Sequence, residues 1–242
     1  MKSDGVEKPR GRGGPGPKSQ LGGVPSRYGR AGRVLPYGLR VAELSFPVPA
    51  LRDAVVSLRP WRETDVPAKL MAFGDPAVQR FSWSRTAPYT EADARAYFVE
   101  QQQARLRGQE LNFALVEPAN DDVVLGGGSL YDVDLEQSRA AVGYWLAPAA
   151  RGRGVATHAV RLVARWAFSE LGLARLELTC GPDNEASQRV AARCGFVREG
   201  VLRSHIAFRV AAGTRWSSAC YRMSSGSSPR GLNSQTALPS AL

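Results

Sequence analysis

The sequence predicts an α+β protein built around a mixed central sheet, and three observations carry that expectation. Apolar runs of strand length alternate with stretches of helical period between about Val55 and Met223. Glycine, proline and Asn/Asp clusters separate them. The order is strands grouped first, then helix, strand, helix, strand, strand, which is a layered α+β arrangement.

Val55–Pro60 reads as the first strand. Glu63, Thr64, Asp65, Val66 and Pro67 open a helix, with acids and a proline in the first turn. Thr90, Glu91, Ala92 and Asp93 open a longer helix to about Arg107. Leu111–Glu117 and Val123–Tyr131 read as antiparallel strands around an Asn120-Asp121-Asp122 turn. Ala140–Leu146 is a further strand, reached through the polar stretch Asp132–Arg139. A helix follows from about Gly154 to Leu171; Ala156, Ala159, Val160, Val163, Trp166 and Ala167 make its apolar face, and Gly172 ends it. Arg175–Cys180 is a strand, Glu185–Cys194 a short helix ended by Gly195, and Phe196–Leu202 and Arg215–Met223 close the sheet.

A chain of 242 residues with 43% hydrophobic content supports one large domain or a domain with tails. No stretch approaches the roughly 18 to 20 apolar residues of a membrane span, and the polar, basic N-terminus lacks the apolar core of a secretory signal. The expected location is therefore the cytoplasm, with no membrane partner. Cys180, Cys194 and Cys220 lack metal-ligand spacing and read as small buried hydrophobes in a reducing compartment; with two histidines in the chain, no metal site is expected. Of the net charge of +10, residues 1–40 carry +7 and residues 224–242 carry +1, which leaves the central part close to neutral. Residues 1–40, rich in Gly, Pro and Arg, and residues 224–242 read as disordered tails around a domain at 53–223. The basic tail is either an extension without a role or an arm making weak contact with nucleic acid.

The most informative run is Val142–Ala156. An apolar strand stops at Pro148, a loop with two glycines and two arginines follows, and a helix opens. That order places backbone N–H groups at a helix N-terminus with cations on the rim, a pocket suited to phosphate oxygens. Neither a P-loop nor a complete G-x-G-x-x-G is present, since Thr157 stands where the last glycine is due.

The loop reads Arg151-Gly152-Arg153-Gly154-Val155-Ala156. Here the chain resembles the GNAT superfamily of acyl-CoA-dependent N-acyltransferases, whose diphosphate loop is [RQ]-x-x-G-x-[GA]. The likeness continues through Gly143-Tyr144-Trp145-Leu146, Asn184-Glu185-Ala186-Ser187 and Gly195-Phe196-Val197-Arg198-Glu199-Gly200, and it covers about residues 53–223. These motifs resemble the branch of ribosomal-protein-alanine N-acetyltransferases. The resemblance implies a GNAT-like, mostly antiparallel sheet with helices on both faces, splayed between the fourth and fifth strands. It implies acetyl-CoA as co-substrate and an amine acceptor, either a protein N-terminus or a small molecule such as an antibiotic or polyamine. A catalytically weak acyl-CoA sensor is the alternative, and the assembly is a monomer or homodimer.

Residue by residue, the resemblance places the diphosphate on the amides of Gly152, Arg153, Gly154, Val155 and Ala156, with charge from Arg151 and Arg153. The backbone of Trp145, Leu146 and Ala147 would pair with the pantetheine arm, and N–H groups near Leu146–Ala147 would meet the oxyanion. Asn184, also a natural N-cap, would hold the arm, and the Ser187 hydroxyl would act as general acid toward the leaving thiolate. The branch often carries glutamate where this chain has Ala141. The base is then His205, an acid among Asp132, Asp134 and Glu136, or none, if the amine arrives neutral. His158 reads as a solvated helix residue. Phe81, Trp83 and Tyr89, expected in a loop between the early helices, line an acceptor groove or pack on the core.

Overall fold

In the computed structural model, residues 43–82, 87–210 and 213–226 are described, and all lie in one compact unit. The basic tail 1–40, Trp83 and residues 227–242 of the C-terminal tail lie outside the described residues. The strands are β1 (Ser57–Pro60), β2 (Leu111–Glu117), β3 (Asn120–Asp134), β4 (Arg139–Leu146), β5 (Arg175–Cys180), β6 (Val197–Val210) and β7 (Gly213–Ser224). The helices are α1 (Val66–Phe73), α2 (Pro76–Ser82), α3 (Glu91–Leu106), α4 (Val155–Ser169) and α5 (Glu185–Arg193). Seven strands form one sheet in the order β1-β2-β3-β4-β5-β7-β6. All neighbours are antiparallel except β4 and β5.

Successive residues of a strand face opposite sides of its sheet, and β2 shows helices on both. Phe113 meets Trp166 of α4 edge-on at 6.3 Å and Phe46 edge-on at 5.5 Å. The adjacent Asn112 accepts a hydrogen bond from the Tyr97 hydroxyl of α3 at 2.7 Å. The expected apolar face of α4 is buried at every position, and Gly172 takes the left-handed φ of 67° that ends the helix. Packed structure begins before residue 53: Leu44 is 1% exposed and its amide donates to the Arg105 carbonyl.

Three local expectations are corrected. The β2–β3 turn lies at Pro118-Ala119, because the Asp121 carbonyl accepts from Arg59 and its carboxylate pairs with Arg62, which draws residues 120–122 into β3. Phe81 lies on a separate helix, α2, whose first amides are capped by Asp75 Oδ1. Strand β6 continues past Leu202 to Val210, with an irregularity between Arg203 and Ala207. The three cysteines are free and buried, as expected.

The feature that positions the site is how short the parallel pair is. Strands β4 and β5 share only Arg139–Ala141 with Arg175–Glu177, and beyond those residues they diverge. The splay falls between the fourth and fifth strands, where the sequence reading placed it.

Candidate active site

The diverging strands open a cleft of about 530 Å³ between the C-terminal ends of β4 and β5, with α2 and the start of α5 on its sides. Backbone direction along β4 follows from register. The Ala147 N–H donates to the Leu125 carbonyl at 3.0 Å, and β3 and β4 stay in step from Gly126–Leu146 to Tyr131–Ala141. Antiparallel pairing alternates, so the N–H and C=O of Trp145 and the N–H of Ala147 are spent on β3, the Ala147 C=O accepts from the Ala150 N–H at 3.0 Å, and the N–H and C=O of Leu146 and Tyr144 face the splay. This corrects the expectation for Trp145 and Ala147: the cleft offers Leu146 and Tyr144 as an unpaired edge, and the Ala147 amide does not meet an oxyanion. The Trp145 indole instead lies over Gly127, where a Cβ would come within 2.5 Å of its Nε1, and stacks on Trp61 at 6.0 Å.

At the mouth, α4 begins as expected. Gly152 and Gly154 have φ of 77° and 81°, a left-handed backbone that glycine adopts without strain. The first bond of the helix runs from the His158 N–H to the Gly154 carbonyl, so the amides of the preceding turn have no partner within it. Val155 and Ala156 bury their side chains and contribute backbone only. Arg151 lines the cleft, donates to the Leu146 carbonyl at 3.2 Å and pairs with Asp75, which its guanidinium holds below the usual carboxylate range. Arg153 turns away to Glu117 at 3.2 Å. His158 is paired with Asp53 at 2.7 Å rather than simply solvated.

Across the cleft, which Asn184 lines, its Oδ1 caps α5 by accepting from the Ser187 N–H at 3.1 Å. The Tyr144 hydroxyl donates to Ser187 Oγ at 3.0 Å. That arrangement leaves the Ser187 proton available to a third group. Burial pushes the Tyr144 phenol up to about 12 and the neighbouring Cys180 thiol up to about 11, so Cys180 is held as a thiol and is a poor nucleophile.

Residues 56–197, more than half of the chain, match the family described as acetyltransferase (GNAT) domain. The chain belongs to the GNAT acetyltransferase family. Among GNAT relatives, the probable N-acetyltransferase YjcK of Bacillus subtilis strain 168 is 32% identical over 160 residues, which cover 64% of this chain and 88% of that protein. The ribosomal-protein-serine acetyltransferase of Escherichia coli strain K12 is 30% identical over 83 residues, 34% of this chain and 46% of that protein. RimJ of Mycobacterium smegmatis, solved in complex with CoA-disulfide, has the same fold, with a TM-score of 0.61 at 23% identity over 70% of this chain and 81% of that one.

In this acyl-CoA-dependent N-acetyltransferase of the GNAT family, Trp145, Leu146, Arg151, Asn184 and Ser187 line the one cleft, while residues 152–156 follow Arg151 beyond the lining. Ala141 is buried beside the lining residue Val142, level with Glu177 on β5 and Tyr131 on β3, and does not itself line the cleft. His205 is exposed in the irregular stretch of β6 and is not among the described residues that line the cleft. Phe81 lines the cleft, while Tyr89 stacks on Phe73 at 4.4 Å and belongs to the helix packing. Sequence reasoning missed Tyr144 as a hydroxyl beside Ser187. It also missed Lys69, which is 1% exposed with its ammonium against the rings of Trp61, Phe73, Tyr97 and Trp145, the nearest at 3.5 Å. Burial pushes that ammonium down to about 7. No spacing rule announces such a cage, because its rings come from four separate segments. Among the described residues no cluster of His, Cys, Asp or Glu could hold a metal ion, and no helix is long and apolar enough to cross a membrane.

Proposed function

We propose that this protein transfers an acetyl group from acetyl-CoA to the amine of a protein N-terminus, by direct attack without a covalent enzyme intermediate. The observation that carries the reading is an unpaired β4 edge at Tyr144 and Leu146 on the cleft, followed within a few residues by Arg151 on the same cleft and then by the open amides ahead of His158. A pantetheine arm fits the edge as an added strand, and a diphosphate fits the N–H groups from Gly152 to Ala156, with Arg151 at the rim. Acetyl-CoA supplies the activated thioester when bound.

The chain's own residues do the rest. Asn184 Nδ2 holds the arm. The Leu146 N–H, facing the splay, is the backbone donor placed to meet negative charge on the acyl oxygen. Ser187 gives its proton to the departing sulfur, and Tyr144, already donating to Ser187 Oγ, supports it. A cytoplasmic location follows from the acetyl-CoA requirement and agrees with three unpaired cysteines. The protein acceptor is supported by the likeness to the ribosomal-protein-serine acetyltransferase.

The test is thiol release from acetyl-CoA with peptides carrying free N-termini, set against polyamines and aminoglycosides. Turnover confined to free N-termini supports the reading, and turnover only with small amines reassigns the acceptor. CoA binding without turnover toward any amine points to the sensor that Ala141 suggests.

A further inference from the structure

In a GNAT chain with alanine at 141, the proton of the acceptor ammonium has no carboxylate on β4 to receive it. Among the described residues no carboxylate lines the cleft itself, but carboxylates stand behind its wall, beside the lining residues Asn112 and Tyr131. Leu111 pairs with Leu130, so the next residue outward on β2, Glu110, stands against the end of β3 at Tyr131 and Asp132. Strand β3 bulges there, and Asp132 has a φ of 49°. A bulge sets two residues against one and redirects a side chain. Accordingly the Asp132 charge is felt by both Glu110 and Tyr131, although strict alternation would put it on the opposite face.

Glu110 shares its face of β2 with Asn112, which lines the cleft. Asn112 is 4% exposed, and its Nδ2 makes no hydrogen bond of regular geometry among the described residues. The amide leans on the Glu110 carboxylate without closing a regular hydrogen bond to it, so a buried donor at the cleft wall is still able to take an oxygen of a ligand. A peptide N-terminus presents a carbonyl oxygen close to its ammonium. An oxygen on Asn112 Nδ2 therefore brings that ammonium beside the next residue on the same face, Glu110.

Resting on the reading above, we infer that Glu110 receives the proton of the acceptor ammonium, directly or through one water, with Asn112 holding the acceptor's first carbonyl. The ammonium's N–H bond breaks, the proton passes to a carboxylate oxygen, and the lone pair stays on nitrogen for attack. The half-buried Glu110 then returns the proton to solvent.

The surroundings suit this role. Burial raises the Glu110 carboxyl above its ordinary range, nearby Asp132 adds to the rise, and the Asn112 amide and the Lys69 ammonium on α1 oppose it. Tyr97 faces it from α3, and Tyr131, whose hydroxyl lies by Thr179, faces it from β3, with Glu177 of β5 beyond. A base with a raised pKa holds the proton more strongly than an ordinary carboxylate.

The experiment compares Glu110→Gln, Asp132→Asn and Glu177→Gln with the wild type in kcat/KM against pH. CoA affinity by calorimetry serves as the check on folding, and NMR follows the Glu110 carboxyl carbon in the wild type. The expected result is a loss of about 10²-fold or more for Glu110→Gln alone, with its acid limb gone and CoA binding unchanged. Glu110→Asp should restore part of the rate with the limb displaced, and the carboxyl should titrate at the midpoint of the wild-type limb. An active wild type whose rate and limb survive Glu110→Gln, or whose limb disappears instead with Asp132→Asn or Glu177→Gln, overturns the assignment alone. A wild type inert toward every amine overturns the function on which it rests.

Discussion

The two ends of the cleft are built differently. The end assigned to the cofactor comes from one continuous stretch, the end of β4 through the first turn of α4, and offers mostly backbone: the Leu146 edge, two left-handed glycines and the amides ahead of His158. The end proposed for the acceptor draws on side chains of β2, β3, β5, α1 and α3, which lie far apart in the chain and meet only in the fold. Backbone sites depend on conformation, so they are sensitive to glycine and indifferent to most side chains. Side-chain sites depend on charge and packing, and the same scaffold can change them one residue at a time, as Ala141 illustrates.

The sharpest way to break this contrast is at Gly152 and Gly154. A Cβ on Gly152 would meet nothing within 4 Å, and one on Gly154 only the His158 ring at 3.6 Å, so crowding is not the obstacle. The obstacle is the left-handed backbone, which costs an L-residue about 1–2 kcal/mol at each position. We expect Gly152→Val with Gly154→Val to weaken CoA binding by about 10²-fold or more while the helix content stays near wild type. Calorimetry beside circular dichroism checks this, and undiminished binding would remove the backbone site.

Next in size is the proton donor. Ser187→Ala should lower kcat by about 10²-fold, the lower end for general acid catalysis, with KM for acetyl-CoA nearly constant. Tyr144→Phe keeps the Ser187 hydroxyl and should cost about tenfold. If Tyr144→Phe were the more damaging, the tyrosine would be the donor and Ser187 its support. This pair separates hydroxyls on α5 and β4 that lie 3.0 Å apart.

The contrast also explains what was legible in the sequence. The loop ahead of α4 could be read because its geometry is local: Gly152, Gly154 and the start of α4 are fixed by neighbours within a few residues. The splay came with the family resemblance, the placing of β7 between β5 and β6 was not read at all, and Gly172, Gly195 and the apolar face of α4 mark their own elements. Trp145 and Ala147 were misassigned because direction along β4 depends on register with β3, which no feature of β4 alone reveals. Glu110, Asn112 and Lys69 stayed invisible for a similar reason. A glutamate before a strand, an asparagine within it and a lysine on an early helix are unremarkable until folding buries them together. Asp132 was among the candidate acids, but the bulge that redirects it has no signature in its neighbours.

Lys69 sharpens the comparison from the side of stability. Its ammonium, pushed down to about 7 by burial, binds a proton more readily in the unfolded chain, where its pKa is ordinary. The unfolded state therefore holds more protons between about pH 7 and pH 10, and stability rises with pH across that window. Lys69→Met should flatten the rise and, at neutral pH, stabilise the fold by about 2 kcal/mol. Loss of contact with the surrounding rings, about 0.5–2 kcal/mol, sets the limit on the gain. Unfolding in urea at several pH values reads both effects. A slope left intact in Lys69→Met would mean that Lys69 is not its source, and a destabilised variant with a flattened slope would mean that the ring contacts outweigh the cost of burial.

The smallest expected effect tests whether the two ends communicate. Arg151 is the cation of the loop, yet it is held by Asp75, the residue that caps α2, and by the Leu146 carbonyl, the cleft-facing edge expected to take the pantetheine arm. A bound diphosphate would compete with Asp75 for the guanidinium, and a pantetheine amide would compete with it for the carbonyl. Asp75→Asn keeps an oxygen to accept from the Ala77 and Val78 amides, so α2 stays capped while the charge is removed. The Arg151 side chain is 38% exposed, and such pairs contribute about 0.2–1 kcal/mol. CoA should therefore bind Asp75→Asn up to about fivefold more tightly at low salt, and the difference should shrink as salt screens the pair in the wild type. An unchanged affinity at low salt would mean that Arg151 stays with Asp75 when the cofactor binds. The diphosphate would then rest on backbone amides alone, which makes the division between the two ends stricter still.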